Sequence, residues 1–343
     1  MSRTELSEIW YTRCPVATPL GLADRLGYLE DDFAREGIAI RSVIDSPDKD
    51  IRRSHFEHTL DFSFRHGGNV PPIRARSEGR KTRLVGITWT DEFQSIITRA
   101  DSGIQTAADL RGRRIGIPRR PAGIVDFLAA SALKGVVSAL QLGGLTPGDA
   151  EIVDVNVTED VLDRGASAST FGLDRRVQFG TELTALARGE VDAIYVKGPV
   201  GLAGANLIGA REVVDLGWHP DPAIRINTGV PRLLTVDERL AEERPDLVVL
   251  LLESIRRASA WARSNPDEVR RIVARESHAT EEQVLAAHGP DLHKHLEIGL
   301  EPELLAAVSS FKDFLRDHGF LAGDFDVAAW ADHRPYADLS KAA

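Results

Sequence analysis

Segments typical of β-strands alternate with segments typical of helices through the first two thirds of this chain. The strand segments are short and apolar, as at residues 83–88 and 191–196. Between them lie longer segments with apolar residues at helical spacing, as at 122–142, and glycines close several of these. Alternation of this kind favours an α/β fold with mixed, mostly parallel sheets.

Individual elements follow from the same periodicities. We predict strands at 9–11, 38–44, 83–88, 115–117, 151–155, 191–196 and 212–216. We predict helices at 20–36, 122–142 and 180–188, followed by a largely helical C-terminal region with helices at 247–265, 266–275, 280–287 and 302–318. Residues 46–80 show no clean periodicity but contain three histidines, several arginines and Gly67-Gly68, so we predict an ordered loop at a functional site.

The composition of the chain limits the classes of molecule that we expect it to bind. Lysine and arginine number 42 against 52 acidic residues, a net charge of −10, which lacks the basic footprint of a nucleic-acid binder. The sequence has no apolar run of the length that spans a membrane, and its first residues do not resemble a secretory signal. We therefore expect a cytoplasmic monomer that binds a small molecule and contacts neither nucleic acid nor membrane.

Cys14 is the only cysteine, so it cannot form an intramolecular disulfide. A cysteine reacts through its thiolate, which nearby cations favour, and Arg13 is adjacent in sequence. The alternative is a small buried hydrophobic residue, since free cysteine is among the most buried residue types.

The stretches 104–116 and 186–193 resemble the type II periplasmic-binding-protein fold in its sulfonate, nitrate and taurine branch. That fold consists of two α/β lobes with the ligand in the cleft between them. The resemblance implies one lobe formed by 1–112 plus 226–343 and a second formed by 113–225. It identifies a scaffold, which does not by itself give a function.

A narrower resemblance rests on 11–15, 54–56, 64–72 and 83–88, which are similar to the 2'-hydroxybiphenyl-2-sulfinate desulfinase family. The resemblance implies hydrolysis of an aromatic sulfinate to the arene and sulfite, the last step of dibenzothiophene desulfurisation, without cofactor or metal. It places the three catalytic residues at Cys14, His55 and Arg65. Gly67 and Gly68 match glycines whose backbone approaches the sulfinate oxygens.

These residue types suit the chemistry. A planar guanidinium such as that of Arg65 can bind two sulfinate oxygens at once, helped by the Gly68 N–H. Cys14 can attack sulfur as a thiolate or donate a proton to the ring carbon as a thiol, and His55 can set its protonation state. The sequence leaves both routes open.

The wall of the substrate pocket is less well defined. Phe56, Phe64 and Trp89 are candidates to hold the aromatic ring, and Thr12 provides a hydroxyl beside the cysteine. We predict that His293 and His295 lie on a solvated surface and do not form a metal site. Two alternatives remain open: a sulfonate- or sulfinate-binding protein that does not transform its ligand, and another lyase or hydrolase with Cys14 as nucleophile.

Overall fold

The computed structural model describes residues 6–120, 125–157 and 178–342. Their strands are β1 Glu8–Arg13, β2 Ala39–Ser42, β3 Ser63–Gly67, β4 Thr82–Thr88, β5 Gln94–Thr98, β6 Arg114–Arg119, β7 Glu151–Asn156, β8 Ala193–Lys197, β9 Arg211–Asp215 and β10 Arg232–Asp237. The helices up to β10 are α1 Pro19–Arg25, α2 Tyr28–Arg35, α3 Lys49–Glu57, α4 Val70–Ser77, α5 Phe127–Leu142, α6 Gly180–Ala187, α7 Gly198–Leu207 and α8 Pro222–Arg225. The C-terminal helices are α9 Glu238–Glu243, α10 Pro245–Arg263, α11 Pro266–Ser277, α12 Glu281–His288, α13 Pro302–Asp317, α14 Val327–Trp330 and α15 Arg334–Ala342.

The strands form two five-stranded sheets. The first has the order β2-β1-β3-β10-β4 and the second β7-β6-β8-β5-β9. The two-lobed α/β prediction and the largely helical C-terminal region are confirmed. Mixed sheets are also confirmed, but parallel pairs do not dominate: four described pairs are parallel and four are antiparallel. The antiparallel pairs all involve β10 or β5, because each of these two strands is antiparallel to both of its neighbours.

The chain passes between the sheets twice, after β4 and after β9. The predicted division at residue 112 is wrong for β5, because this strand pairs with β8 and β9 of the second sheet. The first passage therefore lies between Thr88 and Gln94. The C-terminal region is also shared, since α12 packs against α7 and its Ala287 joins the apolar core around β8.

The segment 46–80 is not a loop. It forms α3, β3 and α4, with Asp48 capping α3 and two prolines in the first turn of α4. The predicted helix at 20–36 is two helices, because Gly27 adopts a left-handed backbone conformation with φ 76°. Residues 122–124 of the predicted helix at 122–142 lie outside the described residues.

Apolar side chains fill both faces of the first sheet. One face packs Ile9, Phe64 and Leu234 against α1 and α10, and the other packs Leu84 and Leu233 against α13 and α14. Among the described helices, none is long and apolar enough to cross a membrane.

Candidate active site

Two neighbouring parallel strands bring the predicted catalytic residues to one edge of the first sheet. Cys14 follows β1 directly, and its backbone N–H donates to the carbonyl of His66 in β3 at 2.9 Å. Thr12 and Arg65 are paired residues of the same two strands, so their side chains share a face. Ligands of open α/β sheets bind outside the carboxyl ends of such strands, which is where Cys14 and Gly67 lie.

Cys14, His55 and Arg65 come together around the sulfur atom. Nε2 of His55 lies 3.8 Å from Sγ of Cys14, and Nη2 of Arg65 donates to the same sulfur at 3.4 Å. His55 and Arg65 are buried, whereas Cys14 is half-buried. The positive charge of Arg65 thus lies against the atom that becomes negative in a thiolate, and the imidazole lies within reach of its proton.

His55 is held by the last turn of α3 and by Thr12. The hydroxyl of Thr12 lies 2.6 Å from Nδ1 of His55. Burial, with a smaller effect of the Arg65 cation, holds the pKa of His55 well below its usual value. The imidazole is therefore neutral near pH 7, so one ring nitrogen donates and the other accepts.

Arg65 is 2% exposed and its contacts fix the plane of the guanidinium. Nε donates to the carbonyl of His55 and Nη1 to the carbonyl of Gly68, both at 2.9 Å. Burial lowers the pKa of Arg65, and the nearby sulfur of Cys14 acts in the opposite direction. A guanidinium has five N–H donors, and three are used in these contacts, which leaves one on each terminal nitrogen for an anion.

Neighbouring parts of the chain approach Gly67 and Gly68 so closely that a side chain at either position would overlap them. A Cβ on Gly67 would overlap the side chain of Cys14, and a Cβ on Gly68 would lie 2.7 Å from the carbonyl oxygen of Thr228. Asn69 N–H donates to that same oxygen at 3.0 Å. The glycines therefore allow the cysteine and the segment before β10 to close around the end of β3.

The three aromatic candidates have different positions. Phe56 packs edge-on against His55, with ring centroids 4.7 Å apart, and stacks on Phe127 at the start of α5, at 6.2 Å. The prediction that Phe64 holds the aromatic ring of the substrate is wrong. Phe64 lies in the core on the opposite face of β3, stacked on Tyr11. Trp89 is half-buried at the end of β4, where its indole N–H donates to Asp91.

Other charged residues near the cysteine are engaged elsewhere. Arg13 points to the opposite side of β1, where Asp24 and Glu276 bind it. Burial alone would lower the pKa of Arg13, but the hydrogen bond and charge of Glu276, followed by those of Asp24, raise it. His58, the nearby competitor of His55, ends α3 in a left-handed conformation, and no described contact joins it to Cys14.

Two residues beside the site had not been predicted. Thr228 reaches Gly68 from 160 positions further along the chain, and no local pattern signals such a contact. Phe127 lies in the predicted helix at 122–142 and begins the observed α5, but only the folded chain shows that it stacks on Phe56. Within the described ranges, no group of three or more His, Cys, Asp or Glu side chains is arranged to hold a metal ion, and His295 is exposed.

The fold defines a class: two-lobed α/β proteins that share the fold of the periplasmic sulfonate-binding proteins. The periplasmic aliphatic sulphonate-binding protein SsuA from Escherichia coli superposes with a TM-score of 0.66 over 95% of this chain and 92% of its own, at 17% identity. Identity that low shows the fold alone. A cysteine-to-serine mutant of the desulfurization enzyme DszB, in complex with biphenyl-2-sulfinic acid, has a TM-score of 0.75 at 26% identity, covering 97% and 99% of the two chains.

Sequence comparison narrows the class. The chain matches the NMT1/THI5-like family over residues 14–269. It is 30% identical to 2'-hydroxybiphenyl-2-sulfinate desulfinase from Rhodococcus erythropolis, over 94% of this chain and 90% of that enzyme. The chain belongs to the NMT1/THI5-like family and to the family of 2'-hydroxybiphenyl-2-sulfinate desulfinase.

Proposed function

We propose that this protein is an aryl sulfinate desulfinase, which hydrolyses a carbon–sulfur bond without a cofactor. An aryl sulfinate and water would give the arene and hydrogen sulfite, so the ring carbon gains a proton and the sulfur gains an oxygen. The observation that carries this proposal is the contact of Cys14 Sγ with both His55 and Arg65, in a chain that belongs to the desulfinase family.

Arg65 would hold the sulfinate through its two remaining terminal N–H groups, one for each oxygen. Charge-assisted pairs of this bidentate kind are stronger and more directional than neutral hydrogen bonds. The fixed plane of the guanidinium supports this role, since its contacts to His55 and Gly68 prevent rotation. The Gly68 N–H would assist at the same oxygens. The sulfinate sulfur would then lie beside Cys14.

Two routes use the same three side chains. In the first, His55 takes the proton of the Cys14 thiol, and the thiolate attacks sulfur. The aryl group leaves with that proton from His55, and water then releases hydrogen sulfite from the cysteine and restores the thiol. In the second, the Cys14 thiol protonates the ring carbon, SO₂ leaves and is hydrated, and His55 returns a proton to the cysteine. Rapid quenching with intact-mass analysis separates them, because only the first route places SO₂ covalently on Cys14.

The substrate would be 2'-hydroxybiphenyl-2-sulfinate or a related aryl sulfinate, with Cys14 as the catalytic cysteine of the last step in dibenzothiophene desulfurisation. Phe56 would contact the ring because it packs against His55. We also propose that the protein acts as a cytoplasmic monomer.

A binding protein without catalysis is the competing proposal, favoured by the fold shared with SsuA. A binding site needs cations and hydrogen-bond donors, but it does not need a thiol between an imidazole and a guanidinium. The arrangement around Cys14 therefore supports the enzyme.

The test is sulfite release from 2'-hydroxybiphenyl-2-sulfinate by the wild type and by Cys14→Ser, with calorimetry to follow binding. We expect release by the wild type alone and binding of the sulfinate by both. Tight binding by the wild type without turnover of any aryl sulfinate would identify a binding protein. Turnover by Cys14→Ser at the wild-type rate would remove the cysteine from the mechanism.

A further inference from the structure

Asn69 directly precedes helix α4 but does not cap it. At this position an asparagine side chain usually accepts a hydrogen bond from the first turn of the helix, and in the described structure Asn69 makes no such bond. Its Nδ2 instead donates to the carbonyl of Asn227 at 2.8 Å and to that of Pro231 at 3.0 Å. These partners lie 158 and 162 positions further along the chain. The side chain therefore joins two distant segments and does not stabilise its own helix.

The contact is buried and requires an amide nitrogen. Asn69 is 0% exposed, and Asn227 is also buried. Two backbone carbonyls face the Nδ2 of Asn69, and an oxygen atom in its place could only repel them, since it has no hydrogen to donate. Removal of the amide would cost two hydrogen bonds in the protein interior, where an unpaired carbonyl is expensive.

The segment that Asn69 binds is a tight turn at residues 227–231, at the end of the second passage between the sheets and directly before β10. The turn is also held from within. The N–H of Asn227 donates to the carbonyl of Val230 at 2.8 Å, and the N–H of Gly229 donates to Oδ1 of Asn227 at 2.5 Å. Because Asn69 binds both ends of this turn, it also fixes the residue within it that approaches the active site, Thr228.

The peptide group between Gly68 and Asn69 is held on both sides. Its carbonyl, that of Gly68, accepts from Nη1 of Arg65 at 2.9 Å. Its N–H, that of Asn69, donates to the carbonyl of Thr228 at 3.0 Å. Two hydrogen bonds on opposite sides of one peptide group polarise each other and fix its orientation. Thr228 thus orients the carbonyl that in turn orients the guanidinium of Arg65.

On the basis of the proposed desulfinase function, we infer that Asn69 is a positioning residue for sulfinate binding. Its side chain holds the turn at 227–231 against the peptide group that fixes the plane of the Arg65 guanidinium. A bidentate contact with the two sulfinate oxygens depends on the orientation of that plane, so a small rotation loses one of the two hydrogen bonds. The second passage between the sheets is therefore part of the support of the sulfinate site.

The test uses two substitutions of Asn69 and a matched control. Asn69→Ala removes the amide, and Asn69→Asp keeps its volume but replaces both donors with an acceptor. Asn265→Ala is the control, because Asn265 also precedes a helix that begins with proline, does not cap it, and donates from Nδ2 to a backbone carbonyl, that of Trp261 in α10. Urea denaturation measures the stability of each variant.

Two measurements report on the site itself. Calorimetry gives the affinity for benzenesulfinate in the Cys14→Ser background, so that turnover does not interfere. NMR gives the hydrogen-exchange rate of the Arg65 Nε–H, whose signal is identified by its absence in Arg65→Met. We expect both Asn69 variants to weaken benzenesulfinate binding by about 10-fold and to accelerate this exchange by about 10-fold, because the guanidinium loses its fixed plane. Asn265→Ala should change neither, although it lowers stability.

Wild-type affinity and wild-type exchange in the Asn69 variants would overturn the assignment. Weaker binding with unchanged exchange would also overturn it, since Asn69 would then not act through Arg65. An equal loss of affinity in Asn265→Ala would show that lowered stability is the cause. If the wild type releases no sulfite from any aryl sulfinate, the proposed desulfinase function fails, but the exchange of the Nε–H still decides whether Asn69 positions Arg65. Either Asn69 variant alone decides the question if the other does not fold.

Discussion

At the scale of single residues, Thr12 decides which nitrogen of His55 faces Cys14. Its hydroxyl lies 2.6 Å from Nδ1, and the depressed pKa of His55 keeps the ring neutral. If the hydroxyl accepts from Nδ1–H, then Nε2 presents its lone pair to the thiol. His55 can accept a proton from Cys14 only in this tautomer.

We expect Thr12→Val to reduce kcat by roughly 10- to 100-fold, because valine keeps the shape of threonine but removes the partner of Nδ1. Thr12→Ser, which keeps a hydroxyl, should retain most of the activity. Sulfite release provides kcat, and circular dichroism controls for folding. Equal activity of the valine and serine variants would show that the hydroxyl does not orient His55.

Removal of the Arg65 cation should raise the pKa of His55. Burial is the larger cause of the depression and remains in Arg65→Met, so only part of the shift should be lost. NMR titration of the His55 ring protons in the wild type and the variant measures this without any need for activity. An unchanged or lower pKa in Arg65→Met would show that the guanidinium charge does not act on the imidazole.

His66 makes the fold sensitive to acid. Neither ring nitrogen has a partner in the described structure, and burial, followed by the Arg232 cation, lowers its pKa to about 3. The unfolded chain, with a histidine pKa near 6.5, binds the proton more readily, so stability falls as the pH drops from about 6.5 towards 3. This one group contributes at most about 1.4 kcal/mol per pH unit.

We therefore expect His66→Leu to flatten the pH dependence of the free energy of unfolding below pH 6.5. Urea denaturation at a series of pH values measures the slope for the wild type and the variant. His293→Leu, at a half-buried position in the turn between α12 and α13, serves as the control. An identical slope in His66→Leu would contradict the buried-histidine explanation.

At the scale of elements, the sequence predicted long and strongly patterned segments better than short ones. Helix α13 and strand β4 are close to their predicted bounds. Strands β3, β5 and β10 were missed, because each mixes polar with apolar side chains on two buried faces. The site was predicted without β3, because the resemblance to the desulfinase family rests on short motifs and places Arg65 at the site even in a segment interpreted as a loop.

The turn between β3 and α4 depends on Gly68. We expect Gly68→Ala to lower the free energy of unfolding by roughly 1–3 kcal/mol and to reduce activity, because the new Cβ must push the Thr228 carbonyl away. Gly148→Ala is the matched control, since the nearest atom to its Cβ would be 3.9 Å away. Chemical denaturation and sulfite release measure both effects. A Gly68→Ala protein with wild-type stability and turnover would show that the turn has room to relax.

At the scale of the whole molecule, the site is assembled from contacts that no local pattern contains. Thr228 reaches Gly68 across 160 positions, and Phe127 stacks on Phe56 across 71. The chemistry of the site could therefore be predicted from Cys14, His55 and Arg65, while the surrounding wall could not. The resemblance predicted two lobes, but it could not show which residues join them.

Phe127 links the second sheet to the candidate active site, since it begins α5 beside that sheet and stacks on Phe56, which packs against His55. Stacked aromatic pairs contribute about 0.5–1.5 kcal/mol beyond their buried area, so we expect Phe127→Ala to raise KM for aryl sulfinates by roughly 2- to 12-fold. Phe127→Leu, which keeps apolar area without the ring, should have an intermediate effect. Phe314→Ala removes a similar stack with Phe311 in α13, and it should lower stability without changing KM. Steady-state sulfite release measures KM for all three variants. An equal increase in KM for Phe127→Ala and Phe314→Ala would show that lost stability, rather than the lost stack on Phe56, is the cause.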